Sequence, residues 1–228
     1  MREIVLDTET TGLDPFDGDR VVEIGAVELF NHMPTGKTYH QYINPERDMP
    51  AGAFAVHGLS EKFLSDKPVF ASIAQAFLDF VQDSRLIIHN ASFDMKFLNA
   101  ELDWCSHKQL PMGQALDTLA IARKKFAGAQ NSLDALCRRF GIDNSARTLH
   151  GALLDSEILA EVYLELIGGR QPDFALKVVQ NTSRNTPGGD YTPPKRPEPL
   201  PPRLTEHENA AHKAFLKAMG GETLWKSD

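Results

Sequence analysis

Residues 1–12 read MREIVLDTETTG, an apolar run that passes directly into two carboxylates one residue apart, Asp7 and Glu9. Such a run is a strand, and alternate side chains of a strand point to one side, so Asp7 and Glu9 share a face. Two negative charges side by side repel each other unless a cation lies between them. Either both are solvated at a strand end, or they are half of a divalent metal site. The choice turns on whether other carboxylates can converge on them.

Outward from this strand, IVL (4–6), VVEIGAVEL (21–29) and TYHQYI (38–43) read as three successive strands joined by Gly, Asp and Pro turns. Helical periodicity follows in VFASIAQAFLDFVQ (69–82), then a short buried strand, RLIIHN (85–90), then a helix, SFDMKFLNAELDW (92–104), with Ser92 as its N-cap. ALDTLAIARKKF (115–126) and SLDALCRRFGI (132–142) read as two more helices, the second opened by Ser132 and closed by Gly141. ALLDSEILAEVYLELI (152–167) supplies the last long helix. The pattern predicts an α/β domain over residues 1–170, with a mixed central sheet flanked by helices.

Seven of the 14 prolines fall between Pro187 and Pro202, so residues 171–203 read as a semi-extended linker. The tail, 204–228, places Ala211, Phe215 and Ala218 at helical spacing before Gly220-Gly221. One short helix is marginal alone. The tail therefore reads as a docking segment for another protein, with Phe215, Leu216, Leu224 and Trp225 as anchors.

Lys and Arg total 24 against 31 Asp and Glu, a net charge of −7, the wrong sign for gripping nucleic acid through phosphates alone. A nucleic-acid substrate would need bound metal or a partner protein. Only Cys105 and Cys137 occur, without metal-ligand spacing, which excludes a disulfide framework. No apolar run reaches the roughly 18 residues that span a bilayer, and the expected compartment is the cytoplasm.

Further carboxylates do occur where convergence is feasible. Asp94 falls in the first turn of a helix directly after a strand, at the sheet edge where such folds place their crevices. Asp155 falls in the first turn of the last helix, five residues after His150. Five helical residues turn about 500°, so His150 must belong to the preceding loop to act beside Asp155. Hydrolysis of a phosphodiester by two metal ions uses such hard oxygen ligands. Asp7, Glu9 and Asp155 could hold one ion, with Asp7 bridging to a second that Asp94 reaches directly or through water. A histidine, whose unperturbed pKa is about 6.5, suits removal of a proton from water at neutral pH, and His150 is placed to do so. Singly, Asp94 and Asp155 read more readily as helix-start carboxylates favoured by the dipole, and His150 as an ordinary loop residue.

DTETTG, HNASFD and HGALLD, in this order, resemble the three motifs of the DEDD exonuclease superfamily in its histidine branch, over residues 1–167. The resemblance implies a ribonuclease-H-like fold and removal of nucleotides from 3′ ends with two divalent ions, Mg²⁺ or Mn²⁺. It assigns Asp7, Glu9, Asp94 and Asp155 to metal binding and His150 to general base. Around them, Thr8, Thr10 and Gly12 could meet the sugar, with Asp7, Glu9 and Asp155 at the phosphate. Leu13, Phe93 and Phe97 could pack on bases without choosing among them, although Phe93 and Phe97, at i and i+4, fit a core equally. FAVHGLS resembles the family's loop against the terminal nucleotide, making His57 a contact; Gly52 stands where relatives carry Glu.

The tail pattern ENAAHKAFLKAMGGETLW is similar to that of the proofreading exonucleases of bacterial replicative polymerases, in which it binds the polymerase subunit. That resemblance also implies a sliding-clamp motif after the domain, with Gln171, Phe174 and Leu176, and leaves a small accessory subunit as a further candidate partner. A helix end running into linker explains that segment equally well. The expected activity is removal of mispaired DNA 3′ ends. Two rivals are an RNA-trimming exonuclease of the same superfamily, which leaves linker and tail without purpose, and a non-catalytic scaffold between clamp and polymerase.

Overall fold

The computed structural model describes residues 1–145, 147, 149–169 and 204–219. The linker lies outside the described residues, as do Gln171, Phe174, Leu176, Leu224 and Trp225. The chain divides into two units, Met1–Ala175 and Leu176–Asp228.

The first unit is built on a five-stranded mixed sheet. Strand β1 (Arg2–Thr10) lies at its centre, with β2 (Val21–Phe30) and then β3 (Met33–Tyr42) antiparallel on one side. On the other side β4 (Arg85–Ile88) runs parallel to β1, and β5 (Ala115–Asp117) parallel to β4. β1 is thus where the antiparallel half meets the parallel half.

Alternation along β1 divides the core into two layers. Ile4 and Leu6 face α3 (Phe70–Val81) and α4 (Ala91–Trp104), while Val5 faces α6 (Leu133–Phe140) and α7 (Ala152–Leu166). The predicted mixed α/β fold is therefore the observed one. Ser132 caps α6 by accepting from the Ala135 N–H, and Gly141 ends it at φ +69°.

Four local readings are corrected. ALD (115–117), read as the start of a helix, is β5; Asp117 then caps α5 (Thr118–Lys125) by accepting from the Leu119 N–H. The FAVHGLS segment (54–60) is a loop only from Gly58: its first four residues close a short helix, α1 (Ala51–His57), and the rest leads into α2 (Glu61–Leu64). Ser92 is not an N-cap: α4 starts at Ala91 from Asn90, which takes φ +70° and makes no side-chain cap. Phe97 is fully buried in the core, its ring 5.0 Å from that of Phe93: four residues apart, the two share one side of α4, with Phe97 one turn further along the helix from its start at the sheet edge.

In the second unit the described residues form α8 (Glu206–Met219). Thr205 and Glu208 cap it reciprocally: the Thr205 N–H donates to Glu208 Oε2 at 2.8 Å, and the Glu208 N–H to Thr205 Oγ1 at 3.3 Å. Phe215 is 62% exposed and Leu216 half-buried.

Candidate active site

Asp7 and Glu9 follow Val5 on the α7 face of β1. The cross-strand partner of Asp7 is Gly25 of β2, and a side-chain carbon at Gly25 would overlap the backbone of Ala152 and Leu153. The first turn of α7 therefore rests directly on the sheet, held also by Ser156 Oγ donating to the Gly25 carbonyl at 2.9 Å. That seating delivers Asp155 to the end of β1. Asp94 comes from the opposite face on α4, where its Oδ1 accepts from the Thr8 N–H at 3.1 Å and the Thr8 hydroxyl at 2.7 Å. All four carboxylates line one cavity of about 260 Å³ together with His150. His150 lies in the loop before α7, and its N–H donates to the Val56 carbonyl of α1 at 3.1 Å.

This clustering is electrostatically costly without a cation. Burial, then the charges of Asp94, Glu9 and Asp155, pushes the Asp7 carboxyl well above the usual carboxylate range. Glu9 is pushed up to about 8 by burial and by Asp155, Glu23 and Asp94. Burial raises Asp94 to about 7 against the opposing hydrogen bonds from Thr8. Glu9, His150 and Asp155 each offer a ligand atom within 4.8 Å of the other two. Hard oxygen donors that repel one another, with an imidazole beside them, fit a divalent cation.

These shifts fix a pH dependence. A carboxyl whose pKa is raised by folding adds stability that is complete below its ordinary value and is lost as pH rises through the folded value. The melting temperature in chelator should therefore fall as pH rises from the ordinary carboxylate range through the folded values of about 7 and about 8. Saturating divalent metal should flatten that slope, and thermal scans across the range with and without chelator measure both effects.

Sequence reasoning does not single out Arg147, three residues before His150. Its side chain is only 8% exposed, with Nε 2.5 Å from Asp155 Oδ1, Nη2 2.7 Å from Asp155 Oδ2 and Nη1 2.8 Å from Asp134 Oδ1. Nη2 also lies 2.7 Å from His150 Nδ1, and the ion pair with Asp155 raises the Arg147 pKa further.

Beside the carboxylates opens a second cleft, of about 480 Å³. Thr8, Glu9 and Phe93 line both cavities. Thr10, Gly12 and Leu13 form one wall of the cleft, and Gly52 and His57 of α1 the other. Thr10 Oγ1 donates to the Gly12 carbonyl at 2.6 Å, and a side chain at Gly12 would strike Asp19. Leu13 is 81% exposed on the rim. Gly52 has open space where a side chain would stand. His57 is buried, which lowers its pKa against the nearby Thr10 backbone; its Nδ1 accepts from the Leu59 N–H at 3.0 Å, so the neutral ring carries its proton on Nε2. That Nε2 has no hydrogen-bond partner of good geometry. Phe97 lies behind the cleft in the core and supports Phe93.

The exonuclease family model (RNase_T) matches residues 4–163. DNA polymerase III subunit epsilon of Rickettsia felis is 50% identical over 222 residues, 96% of this chain and 97% of the relative. Among solved structures, exonuclease X in complex with 5′-overhanging duplex DNA aligns with a TM-score of 0.56 at 25% identity, covering 72% of this chain and 90% of that one. The nuclease domain of 3′hExo, a DEDDh family member bound to rAMP, aligns with a TM-score of 0.63 at 18% identity, covering 73% and 91%. With the fold, the three motifs and full-length similarity in agreement, the chain belongs to the exonuclease family, in the group of DNA polymerase III epsilon subunits.

Proposed function

We propose that this chain is a proofreading 3′–5′ DNA exonuclease that removes mispaired nucleotides from primer ends as part of a DNA polymerase III core, using two Mg²⁺ or Mn²⁺ ions. The observation that carries the reading is adjacency: the carboxylate cavity opens onto a cleft with an apolar wall, and Thr8, Glu9 and Phe93 belong to both. Asp7, Glu9, Asp94 and Asp155 would hold the ions, which would supply the positive charge that activates water and stabilises the leaving oxygen. His150 takes the proton of the attacking water. Thr8, Thr10 and Gly12 orient the terminal sugar, Leu13 and Phe93 pack on the base, and His57 Nε2–H has an acceptor to find in the bound nucleotide. At Gly52 only backbone or water can contact the substrate.

Residues 171–203 act as a tether, and Phe215, Leu216, Leu224 and Trp225 dock on the polymerase III alpha subunit in the cytoplasm. Gln171, Phe174 and Leu176 form a weak sliding-clamp motif, and a small accessory subunit completes the set of candidate partners. A tethered enzyme gains effective concentration from its linker, which accords with the net charge of −7. Among the described residues no helix is long and apolar enough to cross a membrane.

Selection for mismatches comes from fraying, since an unpaired end has less stacking and pairing to lose. A 3′-labelled primer with a terminal mismatch should be shortened roughly tenfold faster than a paired one. A chain truncated after Gly169 should keep this activity and lose binding to the alpha subunit. Preference for RNA of the same sequence would favour the RNA-trimming reading. Absence of metal-dependent hydrolysis on every substrate would favour the scaffold.

A further inference from the structure

Arg147 stands where the charge of a metal would be expected. Its guanidinium forks onto both oxygens of Asp155, at 2.5 and 2.7 Å, with almost no solvent access. The same Nη2 donates to His150 Nδ1 at 2.7 Å. The lone pair on that nitrogen is therefore turned toward an arginine and away from any water. A divalent cation held by Glu9 and Asp155 would meet this charge at contact distance. Like charges that close are strongly unfavourable in a buried site. Asp134, 45% exposed and 2.8 Å from Nη1, offers the guanidinium an anchor at the cavity wall if it leaves Asp155.

We infer that Arg147 is a built-in counter-cation: in the metal-free enzyme it occupies Asp155 and ties up His150, and divalent metal must displace it to bind. Arg147 is then a positioning residue that sets the metal concentration at which the site assembles. It also relieves the repulsion that the four carboxylates would otherwise suffer in the metal-free fold. The inference rests on the reading of Asp155 as a metal ligand.

The test is calorimetric titration of Mn²⁺, without DNA, into the full chain and its Arg147→Gln, Arg147→Lys and Asp7→Ala variants. Arg147→Gln should bind Mn²⁺ about ten- to hundredfold more tightly, the worth of one charge-assisted contact no longer opposing the metal. Arg147→Lys, which keeps the charge but cannot fork, should fall between it and the parent. Both variants should melt at lower temperature than the parent in chelator and recover with Mn²⁺. An arginine that merely supports the site would, on removal, loosen it and weaken Mn²⁺ binding. Equal or weaker binding in Arg147→Gln overturns the competition; if that variant does not fold, equal or weaker binding in Arg147→Lys does so. Asp7→Ala separates the two levels of the argument. If it binds Mn²⁺ as the parent does, the metal site itself is misassigned. If it loses binding while the Arg147 variants bind no more tightly than the parent, only the counter-cation role fails.

Discussion

Replacing Asp7 by Asn should cut exonuclease turnover by roughly 10³-fold and, in chelator near pH 8, raise the melting temperature of the same protein. The two effects have one cause. Burial, and then the charges of Asp94, Glu9 and Asp155 around it, push the Asp7 carboxyl toward the neutral form. Asn keeps the shape and removes one of the repelling charges, so the metal-free fold gains. The charge that burdens the metal-free protein is the one that a bound cation would need, and metal stabilisation of a phosphoryl transition state is worth several kcal/mol, about tenfold in rate for each 1.4. Initial rates on a 3′-labelled mismatched primer, beside thermal scans in chelator, measure both. Asp7→Asn within tenfold of parental activity would exclude Asp7 as a metal ligand. A lower melting temperature in chelator would mean that the carboxylate makes a favourable contact outweighing the repulsion.

Much of this site is legible because each of the four clustered carboxylates stands at a place that local chemistry marks. Asp7 and Glu9 end an apolar run, and Asp94 and Asp155 occupy first helical turns. What periodicity cannot decide is where along one face of a helix the core ends and the cleft begins, so Phe93 and Phe97 look alike although one lines the cleft and the other is core. β5 is only three residues long and leads directly into α5, so its apolar residues merge with the helical pattern. The short helix α1 carries Gly52 after Pro50, residues that ordinarily mark a turn. Arg147 is illegible for a different reason. Its partners Asp134 and Asp155 lie 13 and eight residues away on two different helices, and only the path of the intervening chain brings them to one guanidinium.

Gly25→Ala should be the most damaging single-methyl change near the site, although Gly25 touches no substrate. Its added carbon would fall on the backbone of Ala152 and Leu153, which unlike a flexible side chain cannot turn aside. Overpacking of this kind costs about 3 kcal/mol, or roughly 6–12 °C in melting temperature for a domain of this size. If the domain stays folded, the methyl is accommodated by lifting the first turn of α7, and Asp155 is carried away from Glu9. Activity should then collapse well below the melting temperature, with Mn²⁺ affinity reduced in parallel. Gly52→Ala is the matched control: it lies in α1 with open space around it, and alanine there should leave stability unchanged or slightly raised. A Gly25→Ala protein that melts within about 2 °C of the parent and still binds Mn²⁺ normally would show that α7 can retreat from β2 without taking Asp155 with it. The close seating of helix on strand would then be a packing feature rather than the means by which this fold brings its fourth carboxylate to the other three.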